Sequence, residues 1–169
     1  MEGAAFADHP KWRSCYCQFL YVDHNQVNWH QRTAGENQAD ACRRIAGGTM
    51  QGLLAYREGQ VVGWCNAAPR TMLGAFDDEP DPDAAKLGQI TCFVVAAAHR
   101  RTGVATALLA AACELLRDLG LTIAEAEPLA EATTDAENHF GPLRLYLAGG
   151  FTVFKTAANG TVTVRKQLV

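Results

Sequence analysis

The pattern of apolar and polar positions divides the chain into short strands gathered around one strongly helical stretch. Residues 11–22 (K-W-R-S-C-Y-C-Q-F-L-Y-V) are aromatic and β-branched enough to predict an extended segment, whose alternation puts Cys15, Cys17, Phe19 and Tyr21 on one face. Residues 36–45 (E-N-Q-A-D-A-C-R-R-I) read as a short helix closed by Gly47-Gly48. Residues 51–67 form the clearest hairpin, two apolar runs joined by the polar turn Arg57-Glu58-Gly59-Gln60. The stretch A-F-D-D-E-P-D-P-D-A, from Ala75 to Ala84, is too acidic and too rich in proline to pack as a core element and predicts a surface loop.

Beyond it, residues 89–96 (Q-I-T-C-F-V-V-A) are apolar almost throughout and predict a buried strand. A helix is expected from Gly103 to Leu119, with Val104, Leu108, Ala111, Leu115 and Leu119 on one stripe and Gly120 as a left-handed stop. Residues 121–126 predict another strand and residues 142–148 a short helix ending at Gly149-Gly150. Residues 151–156 and 161–168 then close the chain as a hairpin around A-N-G. This order describes a mixed α/β domain with one central strand–turn–helix unit.

Length and charge narrow the picture. The chain has 169 residues, enough for one domain spanning 1–169 and too few for two. A domain of this size buries roughly two-thirds of its unfolded surface and needs neither disulfide nor metal to stand. Fifteen Lys and Arg against eighteen Asp and Glu leave a net charge of −3. That excludes a broad cationic face for nucleic acid, though a local basic cluster can still hold a small anion. Without a basic start and apolar leader, and without the ~20 apolar residues that cross a bilayer, the expectation is a cytoplasmic protein with no membrane partner. The six cysteines contain no C-x-x-C pair and read as reduced thiols packed like small hydrophobes. Cys15, Cys17, His24 and His30 invite a zinc reading, but C-x-C is tighter than the usual ligand spacing, and no metal is expected. Cys92 reads as a packing thiol as well.

Chemistry concentrates at residues 93–109, F-V-V-A-A-A-H-R-R-T-G-V-A-T-A-L-L. A buried strand runs through a turn carrying His99, Arg100 and Arg101 into a helix at Thr102-Gly103. The first-turn amides of that helix lack intrahelical partners, and the helix dipole adds partial positive charge there. Gly103 lets a ligand approach the backbone and Ala105 leaves the next amide unobstructed, so the turn suits a phosphate or pyrophosphate. It is neither a G-x-G-x-x-G dinucleotide turn nor a P-loop.

The string Arg100-Arg101-Thr102-Gly103-Val104-Ala105 matches R/Q-x-x-G-x-G/A, and with it the chain resembles the GNAT family of N-acetyltransferases. Val95 stands five positions before the signature arginine, and Tyr146 stands five before Phe151 in Y-L-A-G-G-F, as family members often have them. The segments W-R-S-C-Y-C and V-V-G-W-C-N-A-A-P-R also resemble a bacterial subgroup of mostly unassigned substrate. One departure is His139, seven residues before Tyr146, where many members carry an asparagine.

The resemblance implies a GNAT-like acyl-CoA N-acyltransferase fold, a central mixed sheet splayed at the CoA cleft and flanked by helices. It implies acetyl-CoA as co-substrate and a small-molecule or peptide amine as acceptor. Backbone groups of Phe93, Val94 and Val95 would polarise the thioester carbonyl. Arg100, Arg101, Thr102, Gly103, Val104 and Ala105, with the Thr106 hydroxyl, would hold the pyrophosphate. Tyr146 would protonate the departing sulfur. Glu125 and Glu127 lie two apart on a predicted strand and so share a face. Glu125, inside the apolar run, is the favoured base, with Glu127, His139 and Glu131 as alternatives. A non-catalytic acyl-CoA sensor of the same fold is the competing reading. The hairpin edges suit a monomer and a homodimer alike.

Overall fold

In the computed structural model, which describes residues 14–77 and 80–168, a single sheet is built from β1 (Gly52–Arg57), β2 (Gln60–Pro69), β3 (Leu87–Val95), β4 (Ile123–Ala126), β5 (Thr152–Thr156) and β6 (Val162–Gln167). The helices are α1 (Gln18–Tyr21), α2 (Ala34–Ala46), α3 (Val104–Asp118) and α4 (Leu143–Ala148). The strand order is β1-β2-β3-β4-β6-β5. Every neighbouring pair is antiparallel except β3 and β4, which run parallel. A parallel pair needs a crossover, and α3 supplies it by leaving the end of β3 and returning the chain to the start of β4. The expected mixed α/β fold class is therefore the observed one.

One face of the sheet carries the main apolar core, where Cys65, Ala67, Ile90, Phe93, Ala124, Ala126, Val162 and Val164 meet α3. The buried face of α3 is Val104, Leu108, Leu109, Ala112, Cys113 and Leu116, while Leu119 is 40% exposed. The stripe expected through Ala111, Leu115 and Leu119 is thus turned by part of a helical step. A neighbour explains the rotation: Gly149, at the end of α4, sits so close to α3 that an added Cβ would lie 3.0 Å from Leu109 Cδ2. Covered on that flank too, α3 buries the 109/113 row as well as the 104/108/112/116 row.

The opposite face is covered by α1, α2 and the connection after β2, with Leu20, Tyr21, Ala41, Met50, Ala68, Leu73 and Phe76 as its apolar part. Here the extended segment expected over residues 11–22 is corrected. Its first three residues lie outside the described residues, and the remainder is a turn into α1, with Tyr16 and Cys17 in the left-handed region at φ 49° and 59°. Two successive left-handed residues end any strand alternation. Phe19 accordingly lies exposed, tilted against the His24 ring and edge-on to Trp29, while Tyr21 is buried. The proline-rich loop is also corrected at one position, since Phe76 is buried beneath the Arg70 guanidinium, 4.5 Å from its ring centroid. α2 begins two residues before its expected start because Thr33 and Glu36 close a reciprocal capping box.

Between this second layer and the sheet runs a belt of buried polar groups. Glu125, 2% exposed on β4, accepts hydrogen bonds from Arg70 Nη1 (3.0 Å), Gln89 Nε2 (2.5 Å) and Arg165 Nε (2.6 Å). Arg165 continues to Asp81 Oδ2 at 2.5 Å. Four separated segments meet on this one carboxylate. Removing one partner from a buried ion cluster leaves desolvated charge uncompensated, typically costing about 3–5 kcal/mol. Glu125→Ala is expected to lose about that much in urea unfolding. An unchanged midpoint would show that the cluster does not hold the sheet together.

Candidate active site

The site is made by a strand that outruns its neighbour. β3 pairs with β4 only through Leu87↔Ile123, Gly88↔Ala124 and Gln89↔Glu125. From Ile90 to Val95 no strand of the described residues pairs with that edge, and alternate backbone groups there face a gap. The split coincides with a bulge: between Cys65↔Phe93 and Ala67↔Ile90, β2 advances two residues and β3 three. The extra residue falls at Thr91-Cys92 and bends β3 away from β4. Asn66 Nδ2 donates to Thr91 Oγ1 and Tyr21 Oη donates to Asn66 Oδ1, both at 2.9 Å, so the bulge is bonded to α1.

The gap opens into a cleft of about 590 Å³. Nine of the ten residues expected to hold acetyl-CoA line it: Phe93, Val94, Val95, Arg100, Arg101, Gly103, Val104, Ala105 and Thr106. Thr102 does not line it; its hydroxyl donates to the His99 carbonyl at 2.7 Å and closes the turn from behind. That turn places Arg101 at φ 60° and Gly103 at φ 86° on either side of Thr102, directly before α3. Left-handed residues in such a turn bring successive N–H groups to one concave side, where the helix dipole adds to them. A Cβ on Gly103 would meet nothing within 4 Å, so the glycine answers to its backbone angle and not to crowding. The first-turn amides of a helix lack intrahelical partners, and with Arg101 exposed beside them the turn has the chemistry of an anion site.

Arg100 has a different place from its neighbour. Its Nε donates to the Val95 carbonyl at 3.1 Å and its Nη1 pairs with Asp135 at 2.9 Å. The guanidinium therefore bridges the end of β3 to the opposite wall. That wall is the turn at Glu137–Phe140 and α4, and it brings Asp135, Asn138, Gly141 and Arg144 to the cleft. These four were not anticipated, because residues 127–141 carry no hydrophobic period and no signature. The only local mark is Gly141-Pro142 at a helix start. His139 also lines the cleft, with Nδ1 near the Ala136 carbonyl at 3.1 Å and its ring edge-on to Phe140. Asn138, one position from the departure noted in the sequence, donates from Nδ2 to the Thr134 carbonyl at 3.0 Å.

Tyr146 is fully buried on α4, edge-on to Phe93 and Phe151, and its hydroxyl donates to the Phe140 carbonyl at 2.5 Å. It stands directly behind Gly141, where an added Cβ would lie 3.1 Å from the Tyr146 oxygen. The absence of a side chain at Gly141 thus leaves the phenol next to the cleft. Burial pushes its pKa well above the ordinary phenol range, so it stays protonated and available as a donor.

Glu125, the expected base, has both oxygens occupied by three donors, two of them cationic. A carboxylate held between two guanidinium groups cannot take an amine proton without weakening an ion pair, and Glu125 does not line the cleft, so the structure gives it the place of an anchor and not of a free base. Glu127, two residues on and on the same face, is half-buried at the strand's end, with Oε1 3.4 Å from Thr163 Oγ1. Glu131 lies in the half-exposed to exposed connection beyond. Among the described residues no group of three or more His, Cys, Asp or Glu side chains is placed to hold a metal ion. No helix of the described residues is long and apolar enough to cross a membrane.

The sequence profile of the Acetyltransferase (GNAT) family matches residues 11–140. No curated protein sequence matches the chain significantly. Among solved structures, similarity extends to an N-acetyltransferase from Staphylococcus aureus Mu50, at TM-score 0.60 and 15% identity, covering 84% of this chain and 81% of that one. It extends also to a ribosomal-protein-alanine N-acetyltransferase from Brucella melitensis, at TM-score 0.57 and 21% identity over 95% and 94%. The Salmonella typhimurium protein yncA, determined with its cofactor acetyl-CoA, aligns at TM-score 0.58 and 19% identity over 93% and 90%. The splayed β3–β4 pair, the amide-lined turn before α3 and a family profile spanning most of the chain lead to one conclusion: this protein belongs to the GNAT acetyltransferase family.

Proposed function

We propose that the protein transfers an acetyl group from acetyl-CoA to a primary amine of a small molecule or peptide, by direct attack of the amine on the thioester. The observation that carries this is the continuity of the unpaired β3 edge with the amide turn at Arg101–Gly103 in a single cleft. A ligand with a diphosphate at one end and an acyl carbonyl at the other matches both ends. Acetyl-CoA supplies the activated acyl carbon.

The turn's amides and Arg101 anchor the diphosphate, while Arg100 holds the Val95 carbonyl and the Asp135 wall in register. Fixed N–H donors along Phe93–Val95 stabilise charge on the carbonyl oxygen without reorganising. Tyr146 delivers its hydroxyl proton to the departing sulfur after exchanging its bond to the Phe140 carbonyl. Glu127, the less enclosed of the two β4-side carboxylates, takes the amine proton directly or through water. One observation favours a second reading, an acyl-CoA sensor: the Tyr146 hydroxyl is bonded to backbone and Glu125 is bound by arginines, so both groups first expected to move protons have other partners.

Titration with acetyl-CoA should raise thermal stability, by roughly 2.7 kcal/mol at a hundred times Kd. No shift would reject both readings, and a shift without thiol release across a broad amine panel would select the sensor. Gly103→Ala should weaken acetyl-CoA binding about tenfold, because a left-handed alanine costs ~1–2 kcal/mol in the turn; calorimetry giving wild-type affinity would remove the turn from the binding site. Tyr146→Phe should lower kcat by about 10²–10⁴-fold with acetyl-CoA affinity nearly unchanged. Since burial raises that phenol's pKa, the wild-type alkaline limb belonging to it must lie above pH 10. Should the Phe variant abolish a limb near neutrality, the assignment fails.

A further inference from the structure

Helix α4 carries a single charge, and that charge is turned toward the cleft. Arg144 lines the cleft wall with Leu145 and Ala148, while Leu147 is left 47% exposed outside it. Residues four apart share a helix face, which sets Arg144 and Ala148 one above the other on that wall. The helix is fixed from behind, where Gly149 meets Leu109 of α3 so closely that an added Cβ would lie 3.0 Å from Cδ2. From that contact both helices lead back to the cleft, α3 to Val104, Ala105 and Thr106 and α4 to Arg144. Arg144 stands two residues before Tyr146, about 200° around the helix. The phenol is therefore held in the interior, and Arg144 lies exposed at the mouth.

The other charges of the cleft have occupations of their own. Asp135 is paired with Arg100, whose Nε is held by the Val95 carbonyl. Arg101 stands at the amide turn. Arg144 has no hydrogen-bonded or charged partner among the described residues. The cleft thus presents two separate cationic points, the amide turn with Arg101 and the guanidinium of Arg144.

We infer that Arg144 binds the 3′-phosphate on the ribose of CoA and so selects acetyl-CoA over its dephospho form. This rests on acetyl-CoA being the donor, as proposed above. Acetyl-CoA carries two distinct anionic groups, a diphosphate within the chain and a phosphate monoester on the ribose at the end remote from the thioester. With the thioester inside at Phe93–Val95 and the diphosphate at the turn, the ribose lies at the mouth, where Arg144 is exposed. A phosphate monoester offers acceptor oxygens in the geometry that the guanidinium fork matches. Asp135, bare, would repel such a phosphate, and its ion pair with Arg100 offsets that repulsion.

The test is calorimetric titration of the full chain with acetyl-CoA and with 3′-dephospho-acetyl-CoA at low salt. The wild type should bind acetyl-CoA about tenfold more tightly, the scale of one charge-assisted hydrogen bond. Arg144→Gln should erase the preference by weakening acetyl-CoA alone, and its unchanged affinity for the dephospho form shows that the variant is folded. Arg144→Lys, which keeps the charge without the fork, should retain part of the preference. Arg101→Gln should weaken both donors alike, since both carry the diphosphate. A preference that survives in Arg144→Gln, or a wild type that binds both donors equally, would overturn the assignment and leave the donor reading standing. Binding of neither donor by the wild type would overturn both.

Discussion

The rest of the structure depends on where β3 and β4 stop being neighbours. Below the split the two strands are joined by backbone bonds and by the carboxylate of Glu125, on which Gln89 of β3, Arg165 of β6 and Arg70 converge. Above it, β3 bends at its bulge and β4 ends. A buried carboxylate must have donors, and these donors come from segments that would otherwise be free to drift. The polar cluster is thus the rivet at the apex of a V, and the cleft is what opens beyond it. Without the rivet the gap would have no fixed origin. Without the bulge it would zip shut into ordinary sheet.

The two faces of the sheet divide the labour. The α3 face is apolar and sets the direction of the helix whose first amides close the cleft. The α1/α2 face carries the polar belt, including the Tyr21–Asn66–Thr91 chain and the Glu125 cluster. Among the described residues, non-glycine left-handed backbone occurs in the β1–β2 turn at Glu58 and at two points where these layers hand the chain to the site, Tyr16-Cys17 and Arg101. Non-glycine residues in the left-handed region persist only where their surroundings hold them. At Arg101 that surrounding is the cleft turn, and at Cys17 it includes the Trp64 indole, whose Nε1–H donates to Sγ.

Legibility followed the range of the interactions. The signature at Arg100–Ala105 was readable because a strand–turn–helix nest is made by consecutive residues, and the same holds for the β1–β2 turn and the terminal hairpin. Glu125 illustrates the opposite case. Its apolar neighbours correctly placed it inside a buried strand, but whether a buried carboxylate is a base or an anchor depends on which cations reach it. Arg70 and Arg165 are 55 and 40 residues away in the chain. The cleft wall at residues 135–144, which has no period to read, met the same limit.

By itself, the sequence determined the mixed α/β class, the positions of most strands, the amide turn before α3 and the family resemblance, all of which rest on local spacing and backbone preference. Tertiary structure decided the rest: the rotated face of α3, the turn that replaces an N-terminal strand and the arginines that claim Glu125. The physical reason is that burial and partner choice are properties of groups brought together from afar. A side chain's chemistry is written in its own residue, but its protonation and its freedom to react are set by neighbours that only the fold supplies.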